Sequence, residues 1–155
     1  MKGTVVIDYL PESAAHYRDG YAIVVVDVMR ATTTATTAVS LGWRVFPART
    51  TDEAYIIASK LKNPLMVGEV GGNTPYGFDL TNSPVQISAR ADLERPIIFV
   101  SSSGTQLILS AEGSEGDGEK GDERVGLVPA GAEEKAPLSH RCQHAGDRAR
   151  DARGQ

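Results

Sequence analysis

Short apolar runs alternate with helix-like segments along the first 111 positions, a pattern that builds an α/β sheet with helices on its faces. Thr4 to Leu10 is a β-rich run ended by Pro11, and Tyr21 to Met29 contains Ile23, Val24, Val25 and Val26 in an unbroken row. Such a row predicts a central strand covered on both faces. Ala31 to Leu41 is expected as a Thr-rich helix terminated by Gly42, although its β-branched residues weaken the helical preference. Trp43 to Pro47 predicts the next strand. The following helix is marked by a capping box at Thr50 and Glu53 and by Ala54, Ile57, Ala58 and Leu61 on one face. Leu65 to Gly68 and Ile97 to Val100 are short strands, and Thr105 to Ser110 begins a last helix.

Between those two strands runs Glu69 to Ser83, EVGGNTPYGFDLTNS, with too few apolar residues to be core. Ordered loops of this length are usually functional. There is no internal repeat.

Composition narrows the picture. Of 155 residues, 41% are hydrophobic, but Val125, Leu127, Val128 and Leu138 are the large apolar side chains beyond position 111, where half of the 16 glycines lie. So little apolar surface does not offset a backbone ordering cost of about 1–2 kcal/mol per residue. The expected organisation is a foldable unit over 1–111 and a low-complexity, disordered tail over 112–155. A net charge of −4 provides no broad electropositive field, so a nucleic-acid partner is not expected. The lone cysteine, Cys142, fits a reducing compartment, as it would a secreted protein without bridges. The first apolar run is too short for a signal-peptide core, and no stretch approaches the ~20 apolar residues of a membrane span. A cytoplasmic protein without membrane contact is expected.

Asp27 stands near the carboxyl end of an apolar strand, where open α/β sheets place their ligands. It either serves chemistry or caps a backbone turn. Glu69 repeats the arrangement after Leu65 to Gly68, and Asp79 lies in the long loop. Converging, these three carboxylates would form an oxygen-ligand site suited to Mg²⁺. Arg30 is either a bidentate anion ligand with Thr32 and Thr33 behind it, or a surface residue beside an N-capping Thr. Ser101, Ser102, Ser103, Gly104 and Thr105 form either an anion cradle or a generic Ser-rich turn.

Several other chemistries lack their residues. There is no GxxxxGK[ST], no GxGxxG after a strand, no GxSxG, and no second acid of a DxD pair at Asp27. His16 is the sole histidine of the foldable part. His140, Cys142 and His144 read as a coincidence of the tail rather than a zinc site.

Read together, VVVDVMRATTT (Val24 to Thr34), GEVGG (Gly68 to Gly72), GFDLTNSP (Gly77 to Pro84) and VSSSGT (Val100 to Thr105) resemble the 2-phosphosulfolactate phosphatase family in order and spacing. The resemblance spans Thr4 to Ala111. It implies a three-layer α/β/α fold with a mixed sheet, incomplete here. Family members continue for a second portion of comparable length, in place of which stand AEGSEGDGEKGDERVG and RCQHAGDRARDARGQ. Their Gly/Arg/Ala bias suggests a truncated gene or a shifted reading frame.

The resemblance also implies Mg²⁺-dependent hydrolysis of a small phosphorylated organic acid, 2-phosphosulfolactate, to sulfolactate in coenzyme M biosynthesis, and a possible homodimer. Carried onto this chain, Asp27, Glu69 and Asp79 become the metal or acid/base carboxylates, with Asp27 alternatively a direct nucleophile. Arg30, Thr32, Thr33, Asn82 and the Ser101 to Thr105 turn become substrate contacts. The competing readings are a catalytically inactive truncated remnant and a small-anion binding module.

Overall fold

The computed structural model describes residues 4–112, which form an α/β fold. The expectations for the tail, including His140, Cys142 and His144, lie outside the described residues.

Three short strands, β1 (Val45–Ala48), β2 (Leu65–Gly68) and β3 (Ile97–Val100), form a sheet of order β1-β3-β2. Every strand pairing among the described residues is parallel, so the expected mixed sheet is not what these strands build. The register aligns Ala48, Val100 and Gly68, so the three strands end level with one another. The loops that follow them therefore leave from one rim.

Alternation along the strands feeds two cores. Val45, Leu65, Val67, Ile97 and Phe99 pack with Ala31, Ala35, Ala38 and Ile87, from helices α1 (Ala31–Ser40) and α3 (Pro84–Ser88). Phe46, Ala48, Met66, Ile98 and Val100 pack with Ala54, and with Ile57, Ala58 and Leu61, from α2 (Thr51–Ala58) and the turn after it. Fully burying each large aliphatic or aromatic side chain stabilises by roughly 1.5–3 kcal/mol.

Helix α1 tolerates its threonines because their hydroxyls fold back onto the helix. Thr36 donates to the Thr32 carbonyl at 2.7 Å and Thr37 to the Thr33 carbonyl at 2.8 Å. Gly42, with φ +94°, follows the helix end at the left-handed angle that favours glycine. In α2, the Thr50 hydroxyl accepts from the Glu53 amide at 3.2 Å, and Glu53 Oε2 accepts from the Arg49 amide at 2.7 Å, one residue earlier than a standard capping box. A last helix, α4 (Gly104–Ala111), has its terminal carbonyls capped from a distance: Arg18 Nε donates to Ser110 O at 2.9 Å and Arg49 Nη2 to Leu109 O at 3.2 Å.

Two expected strands are absent. Thr4 to Leu10 and Tyr21 to Met29 join no ladder among the described residues, and Val24, Val26 and Val28 are 68%, 69% and 55% exposed. Apolar content signals a need for burial, but a strand exists only where a neighbour supplies the opposing hydrogen bonds. Two short helices escaped the sequence reading: the 3-10 helix Pro11–Tyr17 and α3. Helix α3 carries a start signal in retrospect, since the Ser83 hydroxyl accepts from the Gln86 amide and Pro84 occupies the first turn. No helix among the described residues is long and apolar enough to cross a membrane.

Candidate active site at the carboxyl rim of the sheet

The turn after β3 is the centre of the site, and its conformation is set locally. Ser101 and Thr105 bond reciprocally: Thr105 Oγ1 accepts from the Ser101 amide and Ser101 Oγ from the Thr105 amide, both at 3.1 Å. Thr105 Oγ1 also donates to the Ser101 carbonyl at 3.0 Å. Both residues are buried, so they hold the start of α4 from beneath and are not positioned to touch a ligand. Ser103 is exposed at the N-cap, and its hydroxyl makes no hydrogen bond among the described residues. Gly104 is buried against Ala31, the first residue of α1, and Asp27. A Cβ there would lie 2.2 Å from Ala31 Cβ and 2.9 Å from Asp27 Oδ2.

That contact brings Asp27 to the turn. Thr32 fixes its backbone, accepting from the Asp27 amide at 2.9 Å and donating to the Asp27 carbonyl at 2.8 Å, while Thr33 donates to the Val28 carbonyl at 2.8 Å. The two threonine hydroxyls, expected as substrate contacts, are engaged instead in anchoring the loop that presents Asp27. The Asp27 carboxylate accepts no hydrogen bond among the described residues.

Glu69 arrives from the other side. Its Oε1 accepts from the Ser102 amide at 2.8 Å, and its Oε2 accepts from the Ser102 hydroxyl and the Gly72 amide, each at 2.9 Å. Partial burial opposes its ionisation, but the Ser102 and Gly72 donors, with Arg30 nearby, outweigh that and hold the carboxyl below the usual glutamate range. Arg30, exposed at the N-cap of α1, forms no ion pair among the described residues. The rim thus gathers Asp27, Glu69 and a free guanidinium around the N-terminus of α4. The guanidinium suits an oxyanion such as phosphate, whereas the two carboxylates repel one unless a cation lies between.

Asp79 does not join them. Its Oδ2 accepts from the Met66 amide at 2.8 Å and faces Arg95 Nη2 at 3.4 Å, and that nitrogen also donates to the Pro64 carbonyl at 2.9 Å. Pro64 precedes β2, whereas Glu69 follows it, so Asp79 lies toward the opposite end of the strand. The expected three-carboxylate cluster is two carboxylates, and no group of three or more His, Cys, Asp or Glu placed to hold a metal occurs among the described residues. Asn82, also expected at the substrate, is 3% exposed, and its Oδ1 is unpartnered among the described residues. The Gly72 amide was missed as a site group; the GG dipeptide after Glu69 was its signal.

Comparisons with known proteins place the chain in a family. The family model described as 2-phosphosulpholactate phosphatase matches residues 8–116. A probable 2-phosphosulfolactate phosphatase of Deinococcus radiodurans is 41% identical over 100 residues, covering 64% of this chain and 40% of that relative. One from Carboxydothermus hydrogenoformans is 36% identical over 104 residues, covering 66% and 42%. The 2-phosphosulfolactate phosphatase of Methanocaldococcus jannaschii is 34% identical over 105 residues, covering 62% and 43%. The chain thus spans about two fifths of the length of these relatives. With the family model matching residues 8–116 of its 155, the chain belongs to the 2-phosphosulpholactate phosphatase family.

Proposed function

We propose that this chain carries the carboxylate-bearing part of a cytoplasmic, Mg²⁺-assisted phosphomonoesterase that converts 2-phosphosulfolactate and water to sulfolactate and phosphate. The observation that carries the reading is the meeting of Asp27 and Glu69 at the Ser101 to Gly104 turn. The relatives' names supply the substrate.

The donor set fits Mg²⁺. This hard cation is typically held by one or two carboxylates, completed by water and substrate phosphate. Asp27 has both carboxylate oxygens available, and Glu69 Oε1 accepts a single hydrogen bond, which leaves it a lone pair. When bound there, the ion supplies positive charge to the phosphoryl oxygens.

The remaining work falls to the chain itself. Arg30 binds equatorial phosphoryl oxygens bidentately, and the Ser103 hydroxyl and the first turn of α4 accept the same anion. Asp27, whose oxygens no donor occupies, orients the attacking water and takes its proton as the ester P–O bond breaks, and the departing sulfolactate oxygen takes a proton from solvent. Glu69, clamped by three donors, holds a fixed negative charge.

The test is phosphate release from 2-phosphosulfolactate by the purified chain with Mg²⁺. Asp27→Asn is expected to lower kcat by about 10²–10⁴-fold, the usual contribution of a positioned proton acceptor, with an unchanged melting temperature. Turnover unaffected by Asp27→Asn would overturn the proposal. A covalent phosphate trapped on Asp27 would replace the water route by direct attack.

A further inference from the structure

We propose that Ser102 is a positioning residue for Glu69, and that its hydroxyl does not contact the substrate. The hydroxyl occupies a relay between two loops. It donates its only proton to Glu69 Oε2 at 2.9 Å and accepts from the Gly71 amide at 2.8 Å. The same residue's backbone amide donates to the other carboxylate oxygen at 2.8 Å. Glu69 is therefore gripped by both of its oxygens from one residue, a two-point hold that fixes the plane of the carboxylate and not only its position.

The grip also closes the loop that follows β2. Gly71 and Gly72 both have positive φ, +60° and +82°, and this turn directs their amides at the Ser102 hydroxyl and the Glu69 carboxylate in succession. Because β2 and β3 run parallel in a register that ends both strands level, Glu69 and Ser101 leave the rim side by side. A phosphate oxygen accepting from the Ser102 hydroxyl would have to draw its single proton away from Glu69 Oε2. That proton is engaged, whereas the neighbouring Ser103 hydroxyl is exposed and unpaired among the described residues, so substrate contact passes to Ser103.

The experiment has two arms, and only the second rests on the phosphatase reading. In the first, the amide resonances of Gly71 and Gly72 are followed by NMR in the unaltered chain, Ser102→Ala and Ser102→Thr. The Gly72 amide bonds Glu69 and not Ser102, so it reports where the carboxylate sits. In Ser102→Ala it is expected to move upfield and exchange faster with water, while the Phe99 and Val100 amides of β3 stay protected. Ser102→Thr, which keeps the hydroxyl, is expected to restore the unaltered pattern. A Gly72 amide unchanged in Ser102→Ala overturns the inference, because the backbone bond alone would then hold Glu69. In the second arm, Ser102→Ala is expected to lower kcat about 10–100-fold, the usual effect of losing an outer-shell partner, with KM little changed and recovery in Ser102→Thr. A rise in KM at constant kcat would assign the hydroxyl to the substrate and overturn the inference. Lack of turnover in the unaltered chain would overturn the phosphatase reading instead, leaving the Gly72 resonance to decide this one.

Discussion

Asp27 and Gly104 are in contact across the rim: the carboxylate of one occupies the space where a side chain on the other would begin, with Oδ2 2.9 Å from the ideal Cβ position. The glycine is required by packing, not by backbone angle. Ala31 Cβ lies closer still, at 2.2 Å, and Ser101 Oγ at 3.1 Å.

Gly104→Ala is therefore expected to overpack the junction of α1 and α4 at a cost of about 1–3 kcal/mol, measured by urea unfolding. It also displaces the Asp27 carboxylate, so kcat is expected to fall beyond any loss of folded protein. The double variant Gly104→Ala with Ala31→Gly removes the worse of the clashes and is expected to recover part of the stability. Recovery of stability without recovery of kcat would show that Asp27 Oδ2 had not returned to its place.

Asp79 and Asp27 give opposite expectations. Asp79→Ala leaves the Met66 amide without its acceptor at the start of β2 and removes a carboxylate facing Arg95. An unsatisfied buried donor costs about 1–3 kcal/mol, so a lower melting temperature is expected, with kcat per folded molecule within about twofold. Loss of kcat at unchanged stability would place Asp79 in the chemistry after all.

A pH dependence follows from Asp92, whose side chain accepts from Arg90 Nε at 2.8 Å, pairs also with Arg90 Nη2, and faces Arg95 Nη1 at 3.4 Å. The hydrogen bond from Arg90 is the largest influence, and it holds the carboxyl below the usual aspartate range despite some burial. A lowered folded value stabilises above the ordinary aspartate pKa of about 3.9. The stabilisation is lost as pH falls through the lowered value. Asp92→Asn is expected to cost less than about 1 kcal/mol near neutral pH, as for pairs close to the surface. The difference from the unaltered chain is expected to shrink in a series of thermal melts as pH falls below the ordinary aspartate value and on through the lowered one. A difference that persists at acid pH would point to packing rather than charge.

Much of the fold is legible locally. Runs such as Leu65 to Gly68 and Ile97 to Val100 are apolar on both faces, and such strands require cover on both sides wherever they lie. Thr50 with Glu53, and Gly42 after α1, announce helix ends through bonds between residues a few positions apart. Val24, Val26 and Val28 mark the limit of that reading. Their apolar character is a property of the residues, but the hydrogen bonds of a strand belong to a neighbour, and none of the described residues provides one.

The site divides along the same line. Sequence by itself determined which groups were available: carboxylates after apolar runs at Asp27 and Glu69, a third at Asp79, an arginine beyond the first, and a serine turn with a glycine. It could not sort them, because neither a position after an apolar run nor one in a polar loop says which side chains meet. The tertiary structure alone decided that Glu69 meets Ser102, that Asp27 meets Gly104, and that Asp79 turns back to Met66 at the other end of β2. Parallel register and loop closure act between residues beyond local reach, 13 positions for Met66 and Asp79 and 33 for Glu69 and Ser102, and no local pattern of polarity encodes which of several like charges they bring together.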